Sequence, residues 1–436
     1  MGMGGLLFLF AKPKFQRARL RHSRRQHTTL GRSSRPPTRP CTRRHDAPPR
    51  TAPRPDSSAN APHNSVSPNG SDKRKNRRAS PRTPSPRTPT KTTSSTTRRC
   101  PMDLGLVLTG GGARGNVDLG IRAEAAGFDA VYACEFFNQQ TFPVLGALAQ
   151  ATDRIRLGTG IASAFVRSPL THATAAMDID ELSGGRMVLG LGSGTARMNE
   201  EWFGMPFSKP AARSQELLAL LRELFRAAGG LGFKFEGEFY NLKIPVYTRP
   251  GAAREEIPLW LAAVNRGMIR AAGREATGMV GHPIATRRWH REVTLPTLRE
   301  AEEKAGRPAG ACPLIPYVMI SLNDDRDLAI RDAKGQIGFY YTVSVYRTIL
   351  DYHGLPEVAD ACRSALASFD IRAMAEAIPD ALVDEIAIAC TPDEARDRLE
   401  QWNDLSDEVM LYAPQIGVAP DRVRANLDTI LDLFKR

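Results

Sequence analysis

The chain has 436 residues, 42% hydrophobic and 25% charged, with a formal net charge of +13. That charge is a composite: residues 1–101 hold 24 Lys/Arg against 3 Asp, whereas residues 102–436 hold 36 basic and 44 acidic residues, a net −8. No apolar run approaches the roughly 18 to 20 residues of a membrane-spanning helix, and six scattered cysteines without CxxC or other metal or disulfide spacing point to a reducing, cytoplasmic setting.

In chain order, Leu6 to Phe10 is apolar but too short for a secretory core of about 7 to 15 residues. Between Ala11 and Pro101 the only residues from V, I, L, M, F, W and Y are Phe15, Leu20, Leu30 and Val66, and 15 of the 32 prolines precede Met102. Such a segment cannot bury enough apolar surface to offset the entropy of ordering it, so residues 1–101 are expected to be a disordered basic tail. Its composition suits a transit peptide, a nucleic-acid-binding arm or an unselected extension ahead of a start at Met102. With Phe15 as the only aromatic from 11 to 101 there is no base-stacking platform, which weighs against nucleic acid as a partner.

From Met102 the pattern changes. Eight short apolar runs closed by Gly or a polar residue read as buried strands: Leu104–Thr109, Ala130–Glu135, Ile155–Ile161, Met187–Gly192, Leu259–Val264, Met279–Ile284, Leu314–Leu322 and Val409–Pro414. Helical patterns lie between them, over 117–126, 215–228 and 267–276, with a last one over 423–434. Alternation of strand and helix means parallel strands joined by right-handed crossovers. Eight units over residues 102–436 predict an α/β fold, a (β/α)8 TIM barrel with insertions after strands four and seven that roof its mouth.

In such a barrel the chemistry sits at the C-terminal ends of the strands. The residues there include Thr109-Gly110, Glu135-Phe136, Gly160-Ile161, Gly192-Ser193-Gly194, Val264-Asn265-Arg266, His282, Ser321 and Tyr412. The set is rich in glycine and poor in acid–base pairs, which favours holding a flat, phosphate-bearing cofactor over side-chain hydrolysis. Leu106 to Gly115, LVLTGGGARG, looks like the oxyanion loop of patatin-like lipases, but no GxSxG nucleophile turn occurs in the chain. Met187 to Gly194, MVLGLGSG, reads either as a phosphate-cradling turn or as a tight strand-to-loop turn. Val264-Asn265-Arg266 before a helix brings free amides and a guanidinium to one anion. Its plainer reading is a solvated arginine at a helix start. Glu135 is costly to bury unpaired, so it is either a functional acid or the partner of an arginine. His282, after a buried strand and before Pro283, is expected to point to the mouth, where it reads either as a ligand-facing group or as a satisfied structural histidine. Neither HExxH nor a clustered acid triad supports a metal site.

From strand two to strand four the ordered motifs Ala126-Gly127-Phe128-Asp129-Ala130-Val131-Tyr132, Ile155 to Ile161 (IRLGTGI), Ser168-Pro169-Leu170 and Asp180 to Arg186 (DELSGGR) resemble the luciferase-like monooxygenase superfamily. Trp202-Phe203-Gly204 and the Pro258 to Ala276 unit fit as well. The resemblance implies a (β/α)8 protein using coenzyme F-420 (a deazaflavin) or, alternatively, FMN. It implies a non-prolyl cis peptide at Gly160-Ile161 behind the cofactor ring and Glu135 at the ring edge. Ser193, Gly194 and Asn199 correspond to a cofactor-contacting loop, and Ala263, Val264, Asn265 and Arg266 to its phosphate site. Phe136 and Thr195 replace a histidine and a glutamate of some subgroups, which leaves His282, with Glu135, as the catalytic candidates. The activity so implied is hydride transfer between F-420 and a small organic substrate. The alternatives are monooxygenation with reduced FMN and O2, or a non-catalytic barrel that binds a cofactor or partner. The resemblance also implies a homo-oligomer, though the sequence marks no interface.

Overall fold

Short strands alternate with helices from Asp103 onward in the computed structural model, which describes residues 102–230, 232–249, 251 and 254–436; the tail expected over 1–101 lies outside the described residues. The strands of the main sheet are β1 (Asp103–Val107), β2 (Ala130–Ala133), β3 (Arg156–Thr159), β4 (Ala162–Ser163), β5 (Met187–Gly192), β6 (Leu259–Ala262), β7 (Gly278–Val280), β8 (Leu314–Ile315), β9 (Tyr317–Leu322), β10 (Ala387–Cys390) and β11 (Glu408–Tyr412). They are ordered β8-β7-β6-β5-β3-β2-β1-β11-β9-β10, with β4 also on β5, and every pairing is parallel. The segment 314–322, expected as one strand, is broken at Pro316, which has no N–H to give to a ladder. Its first half pairs with β7 and its second with β11, so the sheet curls back on itself into an α/β barrel architecture.

Helices α1 (Ala113–Ala125), α2 (Phe142–Ala151), α3 (Pro169–Leu182), α4 (Pro210–Arg226), α5 (Arg266–Glu275), α6 (Leu295–Lys304), α7 (Arg326–Tyr341) and α8 (Pro420–Leu433) accompany the sheet. Alternate strand residues separate into two apolar clusters, as a period of two requires. Leu104, Leu106, Val131, Leu157, Leu189, Leu261, Val318 and Ile320 pack outward with helical residues such as Leu145, Leu217 and Ile269. Val107, Ala130, Tyr132, Val188, Trp260, Val280, Met319 and Met410 pack inside the curl. Four short helices between 347 and 386 add Ile349, Leu350, Ala359 and Met374 to the inner cluster. The strand Ala387–Cys390, which sequence reading missed, follows the last of these helices with no intervening turn, so no Gly or Pro marks its start. Among the described residues no helix is long and apolar enough to cross a membrane.

Candidate active site

At the N-terminal ends of β1, β3 and β11 the inward positions, Asp103, Arg156 and Glu408, are charged. Arg156 donates to Glu408 at 2.9 Å and to Asp103 at 3.0 Å, and the Tyr132 hydroxyl donates to the other Glu408 oxygen. Burial raises the Glu408 carboxyl above its usual range even with Arg156 beside it. Each formal charge facing this floor has a partner.

The inward phase, carried to the other end of the same strands, arrives at Thr109, Cys134, Gly160, Gly192, Val264, His282, Ser321 and Tyr412. This row holds no formal charge. Three of its polar atoms, Thr109 Oγ1, His282 Nδ1 and Ser321 Oγ, are buried with no hydrogen-bond partner. Native proteins satisfy most such atoms, and these three lie together at the C-terminal ends of β1, β7 and β9, while others among the described residues, such as those of His172, Ser214 and Tyr247, lie off this row.

The third strand changes its path here. Gly158 pairs with Val188 and Ala162 with Leu191, so one extra residue on this strand is bulged out. The Gly160–Ile161 peptide bond within the bulge is cis, as the resemblance implies. The Gly160 carbonyl accepts from the Cys134 thiol at 2.9 Å and from the Tyr317 hydroxyl at 3.5 Å, and the Ile161 carbonyl accepts from the Glu135 amide at 3.0 Å. A Cβ on Gly192 would stand 2.6 Å from the Ile161 side chain, so glycine there lets the bulge approach β5.

Glu135 is buried and fully engaged. Arg167 meets both of its oxygens, at 2.5 Å for one, and the Ser163 amide donates to it at 2.8 Å. The carboxylate thus ties the end of β2 to β4 and to Arg167, which also bonds Gln140 and lies over the Phe142 ring. Arg167 is the arginine that the plainer reading of Glu135 required. Nothing in the spacing of the two residues identified it, because the contact spans the turn between β4 and α3.

After β5, Gly194 takes a left-handed conformation (φ 62°) and the Ser193 hydroxyl donates to the Gly194 carbonyl at 3.1 Å. Asn199 is buried beneath this loop and donates to the carbonyls of Ser193 (2.8 Å) and Thr195 (2.9 Å). Its amide therefore shapes the loop from below. Across the rim Ala263 is buried and its amide donates to the Val280 carbonyl at 3.1 Å, while Val264 is half-buried. Asn265 caps α5, its side chain accepting from the Met268 amide at 3.1 Å. Arg266 and Gly267 stand exposed at the helix N-terminus, with Arg266 donating to Thr297 at 3.2 Å.

His282 lies in an aromatic setting, its ring centroid 5.0 Å from that of Tyr340 and 4.2 Å from that of Tyr346. Burial pulls its pKa down to about 3, so the imidazole is neutral at ordinary pH. Phe136 packs edge-on to Trp202 at 5.4 Å, closing the strand-two side of the rim. The rim thus joins Glu135, Gly160 and Ile161 in one bonded unit. Ser193, Gly194 and Asn199 form a second, and Ala263 to Arg266 line the start of α5. Cys134, Arg167, Tyr317 and Tyr346 were missed by sequence reading; the strand period alone would have pointed Cys134 inward. Among the described residues no group of three or more His, Cys, Asp or Glu is arranged to hold a metal ion.

Comparison with known proteins adds a family to this geometry. The profile described as luciferase-like monooxygenase matches residues 99–408. An uncharacterized protein of Mycobacterium tuberculosis is 36% identical over 244 residues, covering 54% of this chain and 71% of its own. The 5,10-methylenetetrahydromethanopterin reductase of Archaeoglobus fulgidus is 28% identical over 313 residues, covering 70% of this chain and 90% of its own. Among solved structures, the coenzyme F-420-dependent tetrahydromethanopterin reductase of Methanopyrus kandleri shares the fold with a TM-score of 0.65 at 23% identity, over 76% of this chain and 98% of that one.

Proposed function

The chain belongs to the luciferase-like monooxygenase family, whose members are F-420- or FMN-dependent oxidoreductases and monooxygenases, and on that premise we propose that it transfers hydride between coenzyme F-420 and a small organic substrate. In this reading residues 102–436 form one eight-fold barrel. β3 with β4, and β8 with β9, each count as a single stave, β10, which pairs only with β9, belongs to the excursion after stave seven, and the excursions after staves four and seven roof the mouth.

The observation that carries the reading is the uncharged rim with its three orphaned buried polar atoms, beside an exposed helix N-terminus that bears Arg266. A flat heterocycle with a phosphate-bearing tail is the kind of group such a rim fits: neutral donors and acceptors around a ring, and an anion where free amides and a guanidinium meet. When bound, F-420 supplies a ring carbon that accepts or donates hydride.

The protein's own residues supply position. Gly160 and Ile161 present a backbone wall to one face of the ring site. Glu135 holds that wall through Ser163 and Arg167 while remaining a paired carboxylate, so its role is positioning. Ser193 and Gly194, shaped by Asn199, border one edge. Ala263, Val264, Asn265 and Arg266 receive the phosphate-bearing tail. His282, neutral and with Nδ1 unpartnered, offers a hydrogen bond on the substrate side.

Titration of the purified full chain with F-420 and, separately, with FMN tests this. Saturable binding of F-420, with FMN at least about tenfold weaker, is expected, a margin of about 1.4 kcal/mol. The reverse preference assigns the chain to reduced-FMN monooxygenation, and binding of neither overturns the cofactor reading.

A further inference from the structure

The glycine loop between β1 and α1 lies at the mouth but takes no part in the ring site. A Cβ on Gly110 would stand 2.3 Å from the Gly115 carbonyl oxygen, and one on Gly115 would stand 2.1 Å from that of Gly110, so the two ends of the loop close on each other. The tip between them, Gly111 to Arg114, is exposed, and Gly111 and Gly112 hold φ of 83° and 114°, which glycine adopts at low cost. A Cβ on either would meet nothing within 4 Å, so the space beside the tip is open. Among the described residues no group accepts from the amides of Gly111, Gly112, Ala113 or Arg114. Helix α1 has neither a side-chain cap nor an acid in its first turn.

The side chains around the loop are incomplete as well. Asn116 is only 5% exposed, and its Oδ1 accepts from the Gly110 amide at 2.7 Å, which sets the carboxamide inside the turn. Among the described residues no group accepts from its Nδ2. The Thr109 hydroxyl, at the root of the loop, is buried with no partner. Arg114 stands exposed on the first turn of α1 and meets no carboxylate among the described residues. Helix N-terminal amides, a carboxamide NH2 and a guanidinium are all donors, so the group that completes them is an acceptor carrying negative charge.

We propose that the amides of Gly111, Gly112, Ala113 and Arg114, with the Asn116 carboxamide and the Arg114 guanidinium, bind the carboxylate or phosphate group of an anionic substrate. The proposal rests on the oxidoreductase reading above and names its substrate class. Position separates this loop from the tail site at Arg266. Between β1 and β6 stand β2, β3 and β5 on one side, and β11, the β8–β9 stave and β7 on the other, so the two loops face each other across the mouth. A ring tied through its tail at the start of α5 leaves the β1 side for the molecule that reacts with it. On the neighbouring strand Glu135 is closed by Arg167, so its carboxylate does not oppose an anion there.

The test uses the full chain, with and without F-420, and inorganic phosphate as the probe, its binding read from phosphorus-31 NMR line broadening at fixed ionic strength. Phosphate held elsewhere is common to parent and variants, so the difference between them reads this loop. Ala113→Asp plants a carboxylate among the amides and is expected to weaken phosphate at least about tenfold. Its unfolding midpoint is expected to equal or exceed the parent's, because an acid in the first turn suits the helix dipole. Arg114→Gln is expected to weaken phosphate about three- to tenfold. Ala113→Pro, which removes one amide at a helix position that accepts proline, is expected to weaken it about threefold. F-420 affinity is expected to be the same in all four proteins, and phosphate is expected to bind with F-420 in place. Equal phosphate binding by parent and variants would overturn the site. Displacement of phosphate by F-420, with weaker F-420 binding by Ala113→Asp, would make the loop the cofactor's own anion site and overturn its assignment to the substrate. Phosphate lost in Ala113→Asp by a chain that ignores F-420 would leave the anion site standing while the cofactor reading falls.

Discussion

The two ends of the barrel use polar groups in opposite ways. At the floor, Arg156, Asp103, Glu408 and Tyr132 form a closed set of ion pairs and hydrogen bonds. At the mouth, the same strands end in neutral hydroxyls, a thiol, an imidazole and glycines, several of them without partners. Charge with a complete set of partners belongs to the structure. At the mouth, Thr109, His282 and Ser321 leave neutral polarity with capacity over, the end of the barrel where the proposed ligand would offset the cost of an unsatisfied buried group.

The largest expected effect tests whether interior imidazoles are as dry as this contrast requires. His172 and His290 are fully buried, and burial lowers their pKa to about 4 and about 3. The native state then binds fewer protons than the unfolded chain below pH 6.5. Stability is therefore fully present above pH 6.5 and is lost as pH falls toward the folded values, by about 2 kcal/mol per histidine at pH 5. Denaturant unfolding at pH 7.5 and pH 5 measures it; equal stability at the two pH values would show the interior to be wetter than described.

Next in size is the floor. Arg156→Met leaves Glu408 buried with Tyr132 but no cation, and is expected to cost about 3 kcal/mol in denaturant unfolding, the low end for a broken buried pair because Arg156 is one-third exposed. F-420 binding at the far end is expected to survive. Loss of binding with stability intact would break the separation of the two ends.

Glu135→Gln is expected to act at the mouth. It removes the charge on which Arg167 closes and loosens Ser163, so F-420 affinity is expected to fall about tenfold, measured by titration, the energy of one charge-assisted hydrogen bond. Ser321→Ala is expected to have the smallest effect and the opposite sign. Its hydroxyl is buried without a partner, so removing it is expected to raise unfolding stability by about 1 kcal/mol. A loss of that size would mean that the hydroxyl is satisfied and the rim is not left open.

Much of the fold was legible before the structure. Each of the eight expected strands overlaps an observed one, Met279–Ile284 only at its first two residues because the observed strand is Gly278–Val280, and the expected Leu314–Leu322 appears as two, because Pro316 interrupts the ladder. The rim residues were legible too, since a run ending in Gly or a polar residue places its terminus. The two roles left open at Glu135 could not be decided from sequence. Its partner Arg167 sits 32 positions away, and only the bulge at Gly160–Ile161 brings the turn that carries it against the end of β2.

By itself the sequence determined the alternation of strand and helix, the inward and outward faces of each strand, and the glycines where backbones approach. Those properties follow from backbone periods of 2.0 and 3.6 residues and are set within about ten residues of chain. The tertiary structure alone decided that Cys134 meets Tyr317, 183 positions on, that Tyr340 meets Tyr412, and that Arg156 meets Glu408, 252 positions on. Those meetings depend on strand order and register around a curled sheet, which are settled by the packing of the whole barrel and not by any local stretch of chain.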